Sequence, residues 1–175
     1  EQRWTNLRDQ HELYCAGHLI EAAVAYAQAT GRTAFLDMVR RYADHIATVF
    51  GTGPGQRRGY PGHEEIELAL LRLFRATGER RYLDLARYFI DERGRAPHYF
   101  EREARERGED PARWGSRGYD IFQAHRPVRE QTTPEGHAVR ACYLYAGMAD
   151  LAAETADDGL RDTCRAIWRN LTRRR

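Results

Sequence analysis

The feature that most constrains this chain is an internal repeat. Ala29-Thr30-Gly31-Arg32 is followed by Leu36-Asp37, and Ala76-Thr77-Gly78-Glu79 is followed at the same offset by Leu83-Asp84. A weaker third copy reads Glu154-Thr155-Ala156-Asp157, then Leu160. Each copy lies between two segments of helical period, so each reads as a helix, a tight turn and a returning helix. A second element repeats with it. Gly17-His18, Gly62-His63 and Gly136-His137 fall at or near the start of each first helix. Helical hairpins of this kind cannot bury their apolar faces alone and stack side by side, as an open solenoid or a closed toroid. The chain is therefore expected to be all-α, a single domain over residues 1–175, with hairpins over 9–50, 62–93 and 135–172.

Within the hairpins the apolar period is close to 3.6. Glu12 to Thr30 places Leu13, Ile20, Ala23, Val24 and Ala27 on one face, and Gly31 stops the helix. Ala34 to Val49 follows through Leu36, Val39, Ala43 and Ile46. Glu64 to Thr77 and Arg81 to Glu92 make the second pair, and Gly136 to Glu154 and Leu160 to Leu171 the third. Strand patterns are almost absent. Gly51 to Gly62, dense in glycine with Pro54 and Pro61, is a loop. Residues 94–134 form a long polar excursion with one short helical candidate, Glu101 to Arg107.

Composition removes several function classes. The net charge of +2 excludes a strongly basic nucleic-acid surface, so no nucleic-acid partner is expected. No apolar run approaches the ~20 residues of a membrane helix, so no membrane partner is expected either. Three distant cysteines, Cys15, Cys142 and Cys164, do not make a secreted disulfide framework and point weakly to a cytoplasmic protein. Every basic residue is Arg and Ser116 is the only serine, which reads as the codon bias of a GC-rich genome. The chain begins at Glu1 without a methionine and ends in Arg173-Arg174-Arg175. It reads as a piece of a larger protein.

Arrayed in parallel, the three first helices would gather His18, His63 and His137 at one mouth of a cavity. A neutral imidazole offers one donor and one acceptor, which suits sugar hydroxyls. A lone histidine at a helix start is more often a cap, so the sugar reading belongs to the set. Cys15-x-x-His18 supplies too few ligands for structural zinc, and all three cysteines read as buried packing. His63-Glu64-Glu65-Ile66-Glu67 lacks the second histidine of a metalloprotease helix. Glu64, Glu65 and Glu67 suit a first helical turn through the macrodipole, while Tyr60 and Glu64 are further candidates to face the sugar. Arg57 and Arg58 either meet an anionic substrate or are solvated. The 94–134 segment, with Trp114, Tyr119, Phe122, His125 and Arg129, is expected to cover the mouth or shape one subsite. Arg173 to Arg175 suit a helix C-terminus.

Three blocks carry a resemblance to a known family. They are Glu12-Leu13-Tyr14-Cys15-Ala16-Gly17-His18-Leu19-Ile20-Glu21-Ala22-Ala23, Arg58-Gly59-Tyr60-Pro61-Gly62-His63-Glu64-Glu65-Ile66-Glu67-Leu68-Ala69-Leu70, and Pro127-Val128-Arg129-Glu130-Gln131 with Gly136-His137-Ala138-Val139-Arg140-Ala141. The chain resembles glycoside hydrolase family 127, the bacterial β-L-arabinofuranosidases, from Trp4 to Arg174. The resemblance implies an (α/α)6 barrel, of which this chain is an incomplete half. It implies that His18, His63 and His137 contact an arabinofuranoside. It also implies retaining chemistry in which a cysteine thiolate is the nucleophile and a glutamate the acid/base. In the family a zinc ion is held by that glutamate and by cysteines.

The family's Glu-x-Cys motif and paired cysteines lie downstream of the segment matched here, so this chain is expected to carry no catalytic residue and no metal ligand. Zinc belongs to the complete protein, as does any homo-oligomer formed through the missing C-terminal part. The leading expectation is thus the sugar-binding portion of a glycosidase, inactive alone, with an exposed apolar edge where further hairpins dock. A sugar epimerase or unsaturated-uronide hydrolase on a related barrel is the second reading. A non-enzymatic helical-repeat module that binds a protein is the third.

Overall fold

The computed structural model describes residues 3–114 and 118–173. Among the described residues, seven α-helices follow in chain order: α1 (Glu12–Thr30), α2 (Ala34–Val49), α3 (Ile66–Thr77), α4 (Arg80–Glu92), α5 (Tyr99–Glu106), α6 (Ala138–Thr155) and α7 (Asp158–Arg173). Among the described residues there is no strand, only an isolated bridge between Phe50 and Arg57 that closes the glycine-rich loop. No described helix is long and apolar enough to cross a membrane. Arg174 and Arg175 lie outside the described residues, as do Gly115, Ser116 and Arg117.

The repeat corresponds to one turn built three times. Gly31 (φ 70°), Gly78 (φ 71°) and Ala156 (φ 51°) each take the left-handed conformation that ends a first helix. The threonine before each turn donates back to the carbonyl four residues earlier. Thr30 reaches Tyr26, Thr77 reaches Leu73 and Thr155 reaches Leu151, each at 2.7 Å. The hydroxyls of Thr30 and Thr77 also accept from the backbone N–H two residues on. The Thr-Gly signature is therefore a hydrogen-bonded stop and reversal. In the third copy an alanine holds the conformation that glycine adopts without strain.

The helices form two rows. α1, α3 and α6 lie in one row with α3 in the middle, and α2, α4 and α7 each return along their partners. Glycines set the spacing of the first row. A Cβ on Gly17 of α1 would sit 2.9 Å from the Ile66 Cα, and one on Gly147 of α6 would sit 3.4 Å from the Leu68 nitrogen. The core runs between the rows through Leu13, Ile20, Val39, Ile46, Leu70, Phe89, Leu144, Leu151 and Ile167.

Apolar side chains remain exposed at both ends of the rows. Leu19, Tyr26 and Met38 mark the α1–α2 edge, and Trp168 and Leu171 mark the α7 edge. An apolar groove of about 610 Å³ runs between α6 and α7 beneath Trp168. Both features match the expectation of an apolar edge.

The 94–134 excursion is a packed structure. It contains α5 and three short 3-10 turns, and it buries Phe100, Phe122, Ala124 and Val128. Arg129 joins it to the hairpins, 2.8 Å from Asp91 at the end of α4 and 2.8 Å from Asp157 in the third turn. The Arg129 block is thus a structural ion-pair network.

Candidate functional site

His63 precedes α3 and His137 stands at the N-cap position of α6 without a side-chain capping bond, while His18 lies one to two turns into α1. The parallel row places these positions at one end. Tyr14 on α1 packs against the His18 ring (centroids 4.4 Å apart) and the His63 ring (4.3 Å). His63 in turn lies 6.4 Å from His137, and Tyr143 of α6 lies 6.0 Å from His18 and 6.1 Å from His63. His11 adds an edge beside His63 at 5.4 Å. The structure therefore brings the three histidines into one open aromatic cluster, in which His18 retains 43% side-chain exposure.

The orientation of His63 is fixed by the backbone. Its Nδ1 lies 2.9 Å from the Glu64 carbonyl oxygen, which only accepts. Nδ1 therefore carries the proton, and Nε2 is left as an acceptor. Burial lowers the His63 pKa, and the neighbouring Arg140, His11 and His137 lower it further against the pull of the Glu64 carbonyl. His63 is a neutral imidazole near neutral pH. Such a group exchanges hydrogen bonds with a hydroxyl without introducing charge.

Tyr60 and Glu64 do not join the open cluster. Tyr60 is 1% exposed, with its ring 4.7 Å from Phe100 and 5.1 Å from the Arg93 guanidinium. Glu64 and Glu67 are fully buried with Arg93, at 3.0 Å and 2.9 Å from its nitrogens. Burial pushes the Glu64 carboxyl above its ordinary range, against the pull of Arg93. Arg93 also donates to the carbonyls of Phe122 (2.9 Å) and Pro61 (2.8 Å). One guanidinium thus ties α3, α4, the 51–62 loop and the 94–134 segment together beneath His63. The first-turn reading holds for Glu67 alone: α3 starts at Ile66, so Glu64 and Glu65 precede the helix, and the Glu64 and Glu67 carboxyls point into the core, where Arg93 receives them.

Other expectations are also revised. Cys15 and Cys142 are exposed and Cys164 is half-buried, so the first two are not core packing. Cys15 points away because the buried face of α1 is taken by Leu13, Ala16, Gly17 and Ile20. Arg57 donates to the Trp4 carbonyl at 3.0 Å and Arg58 pairs with Glu92 at 3.0 Å, so neither is simply solvated.

A second groove of about 700 Å³ opens beside His137, lined by Arg8, Trp114, Asp120, Ile121 and Glu135. The excursion therefore shapes one wall next to the histidines. Arg8 lies over the Trp114 ring at 4.2 Å, and Arg8 and Arg140 both lie over Phe122.

The zinc centre implied by the resemblance needs cysteine thiolates beside a glutamate. Among the described residues, the group with three metal-ligating side chains close together is His18, Glu21 and Glu65, and it contains no cysteine. The residues present do not fit a thiolate–zinc centre, and no catalytic step through one is assigned to this chain.

Sequence reasoning missed Tyr14, Tyr143, His11 and Arg140. Tyr14 and His18 are four apart on α1, the spacing that stacks side chains on one helical face. That signal was available. Tyr143 carries no comparable local pattern.

A family profile described as "Beta-L-arabinofuranosidase, GH127 catalytic domain" matches residues 1–175. A non-reducing end β-L-arabinofuranosidase of Bifidobacterium longum subsp. longum is 42% identical over 99% of this chain. The chain spans 27% of that relative. A crystal structure of a GH127 β-L-arabinofuranosidase from Geobacillus stearothermophilus T6 superposes with a TM-score of 0.95 at 58% identity, covering 98% of this chain and 27% of the other. A GH127 β-arabinofuranosidase structure superposes with a TM-score of 0.81 at 42% identity, covering 97% of this chain and 24% of the other. Over its whole length, the chain belongs to the GH127 β-L-arabinofuranosidase catalytic-domain family.

Proposed function

We propose that this chain is the sugar-binding portion of a retaining β-L-arabinofuranosidase, and that His18, His63 and His137 contact the hydroxyls of an arabinofuranoside. The observation that carries this reading is the convergence of three imidazoles, far apart in sequence, with Tyr14 and Tyr143 in one open cluster. His63 presents an unprotonated Nε2 as acceptor, and the aromatic rings give apolar sugar faces a surface to pack on. Tyr60 and Glu64 act from beneath, by holding the segment that carries His63. The groove beside His137 is read as the adjoining subsite. The thiolate nucleophile, the acid/base glutamate and their zinc are assigned to other parts of the complete protein. The exposed apolar edges at Leu19, Met38, Trp168 and Leu171 are read as docking faces for neighbouring hairpins of the barrel.

The test is a titration of the protein with methyl β-L-arabinofuranoside, followed by the imidazole resonances of its histidines. Shifts at His18, His63 and His137, with His45 and His98 unmoved, are the expected result. Saturating shifts at none of the three overturn the reading.

A further inference from the structure

Glu65 differs from the other buried carboxyls of this protein. Glu64 and Glu67 face Arg93. Glu103 accepts from the backbone N–H groups of Leu7 and Arg8 and lies 3.2 Å from Arg107. Glu65 is 0% exposed, and no N–H group donates to either carboxylate oxygen; the polar side chain beside it is a second carboxyl, Glu21. Such a group costs free energy unless something completes it.

Its surroundings are specific. The His18 Nδ1 lies 3.6 Å from Glu65 Oε1. Glu21, one turn along α1 from His18, brings a second carboxyl, and Arg72 pairs with Glu21 at 3.0 Å. One ligand atom from each of His18, Glu21 and Glu65 lies within 4.8 Å of the other two. The space for Glu65 exists because position 17 is glycine: a Cβ there would overlap the carboxylate.

We propose that His18, Glu21 and Glu65 form a binding site for one divalent first-row cation. Donors about 2.0–2.2 Å from one ion stand roughly 3.0–3.4 Å apart, so the side chains, within 4.8 Å of one another, close in by up to about 1.5 Å on binding. One imidazole and two carboxylates suit manganese, cobalt or zinc better than an all-oxygen calcium cage. Water completes the coordination. With Nδ1 on the metal, the His18 Nε2 becomes a fixed N–H donor at the aromatic cluster. The site stands on its own geometry, so the cation can bind whether or not the cluster binds a sugar.

The experiment is a Mn²⁺ titration of the purified protein, followed by loss of the free-ion electron paramagnetic resonance signal. Manganese is chosen because it disfavours thiols, so the exposed cysteines do not mimic the site. The expected result is one saturable ion per chain with nitrogen hyperfine coupling in the echo-modulation spectrum. Glu65→Gln and Glu21→Gln each weaken binding at least tenfold, His18→Gln abolishes the nitrogen coupling, and Cys15→Ala changes neither. Circular dichroism confirms that the variants remain folded; if one does not, the wild-type nitrogen coupling and the remaining variants decide. Absence of saturable Mn²⁺ binding by the folded wild type overturns the proposal, and so does binding that folded Glu65→Gln leaves intact.

Discussion

Replacing Arg93 with Met isolates the group that holds the candidate site together. Arg93 is fully buried, lies 3.0 Å from Glu64 and 2.9 Å from Glu67, and donates to the Phe122 and Pro61 carbonyls. Methionine keeps much of the apolar volume and none of the donors. Two carboxyls and two carbonyls lose their partner together. Removing one side of a buried ion pair costs about 3–5 kcal/mol. An unsatisfied buried carbonyl adds about 1–3 kcal/mol. Protonation of the carboxyls limits the sum, because burial already raises Glu64. The net loss should be about 4–6 kcal/mol, a large share of the ~5–15 kcal/mol that keeps a domain folded. Urea denaturation followed by circular dichroism at neutral pH measures it. Adding Glu64→Gln and Glu67→Gln to the methionine variant should recover about 1–2 kcal/mol, because the orphaned charges are gone. A loss below about 1 kcal/mol in the single variant, or a triple variant no more stable than it, refutes the reasoning.

Three further outcomes follow from the geometry. Ala156 holds φ 51° where the other two copies use glycine, so Ala156→Gly should raise the unfolding free energy by about 0.5–1 kcal/mol; a lower urea midpoint would show that the turn is not strained. Gly17→Ala places a methyl on the Glu65 carboxylate and against Ile66, and should cost about 1–3 kcal/mol, with an unchanged thermal midpoint as the contrary result. Burial pushes Glu64 and Glu65 up, Glu65 to about 9, so the folded state keeps protons that the unfolded chain loses near its ordinary pKa of about 4.3. That stability is fully present below the unfolded value and fades as pH climbs through the folded one. With a chelator present, urea midpoints should fall between about pH 5 and pH 9, and Glu65→Gln should flatten the fall; midpoints that rise across this window contradict it.

The hairpins were legible because their signals are local. The apolar period and Gly31 define α1 over Glu12–Thr30 and α2 over Ala34–Val49, the bounds the structure shows. The start of α3 was not legible at Glu64. Its glutamates look like a helical first turn, and the partner that draws two of them into the core, Arg93, lies on a distant segment. The expected helix over Glu101–Arg107 is observed over Tyr99–Glu106, while the packing of the rest of that segment depends on Phe122 and Arg129 meeting residues of other hairpins. The histidine set was visible because it repeats in register with the hairpins. Cys15 was misjudged because composition favours buried cysteine, whereas its exposure is fixed by which face of α1 meets α3.

The central claim is that the three clustered histidines bind the sugar. Its most direct test is the Michaelis–Menten analysis of His63→Ala in the complete enzyme, with a β-L-arabinofuranoside as substrate. Loss of a hydroxyl contact of about 1.5–3 kcal/mol predicts a fall in kcat/KM of about 10- to 150-fold, with the fold unchanged by circular dichroism. A kcat/KM equal to that of the wild type would contradict the account.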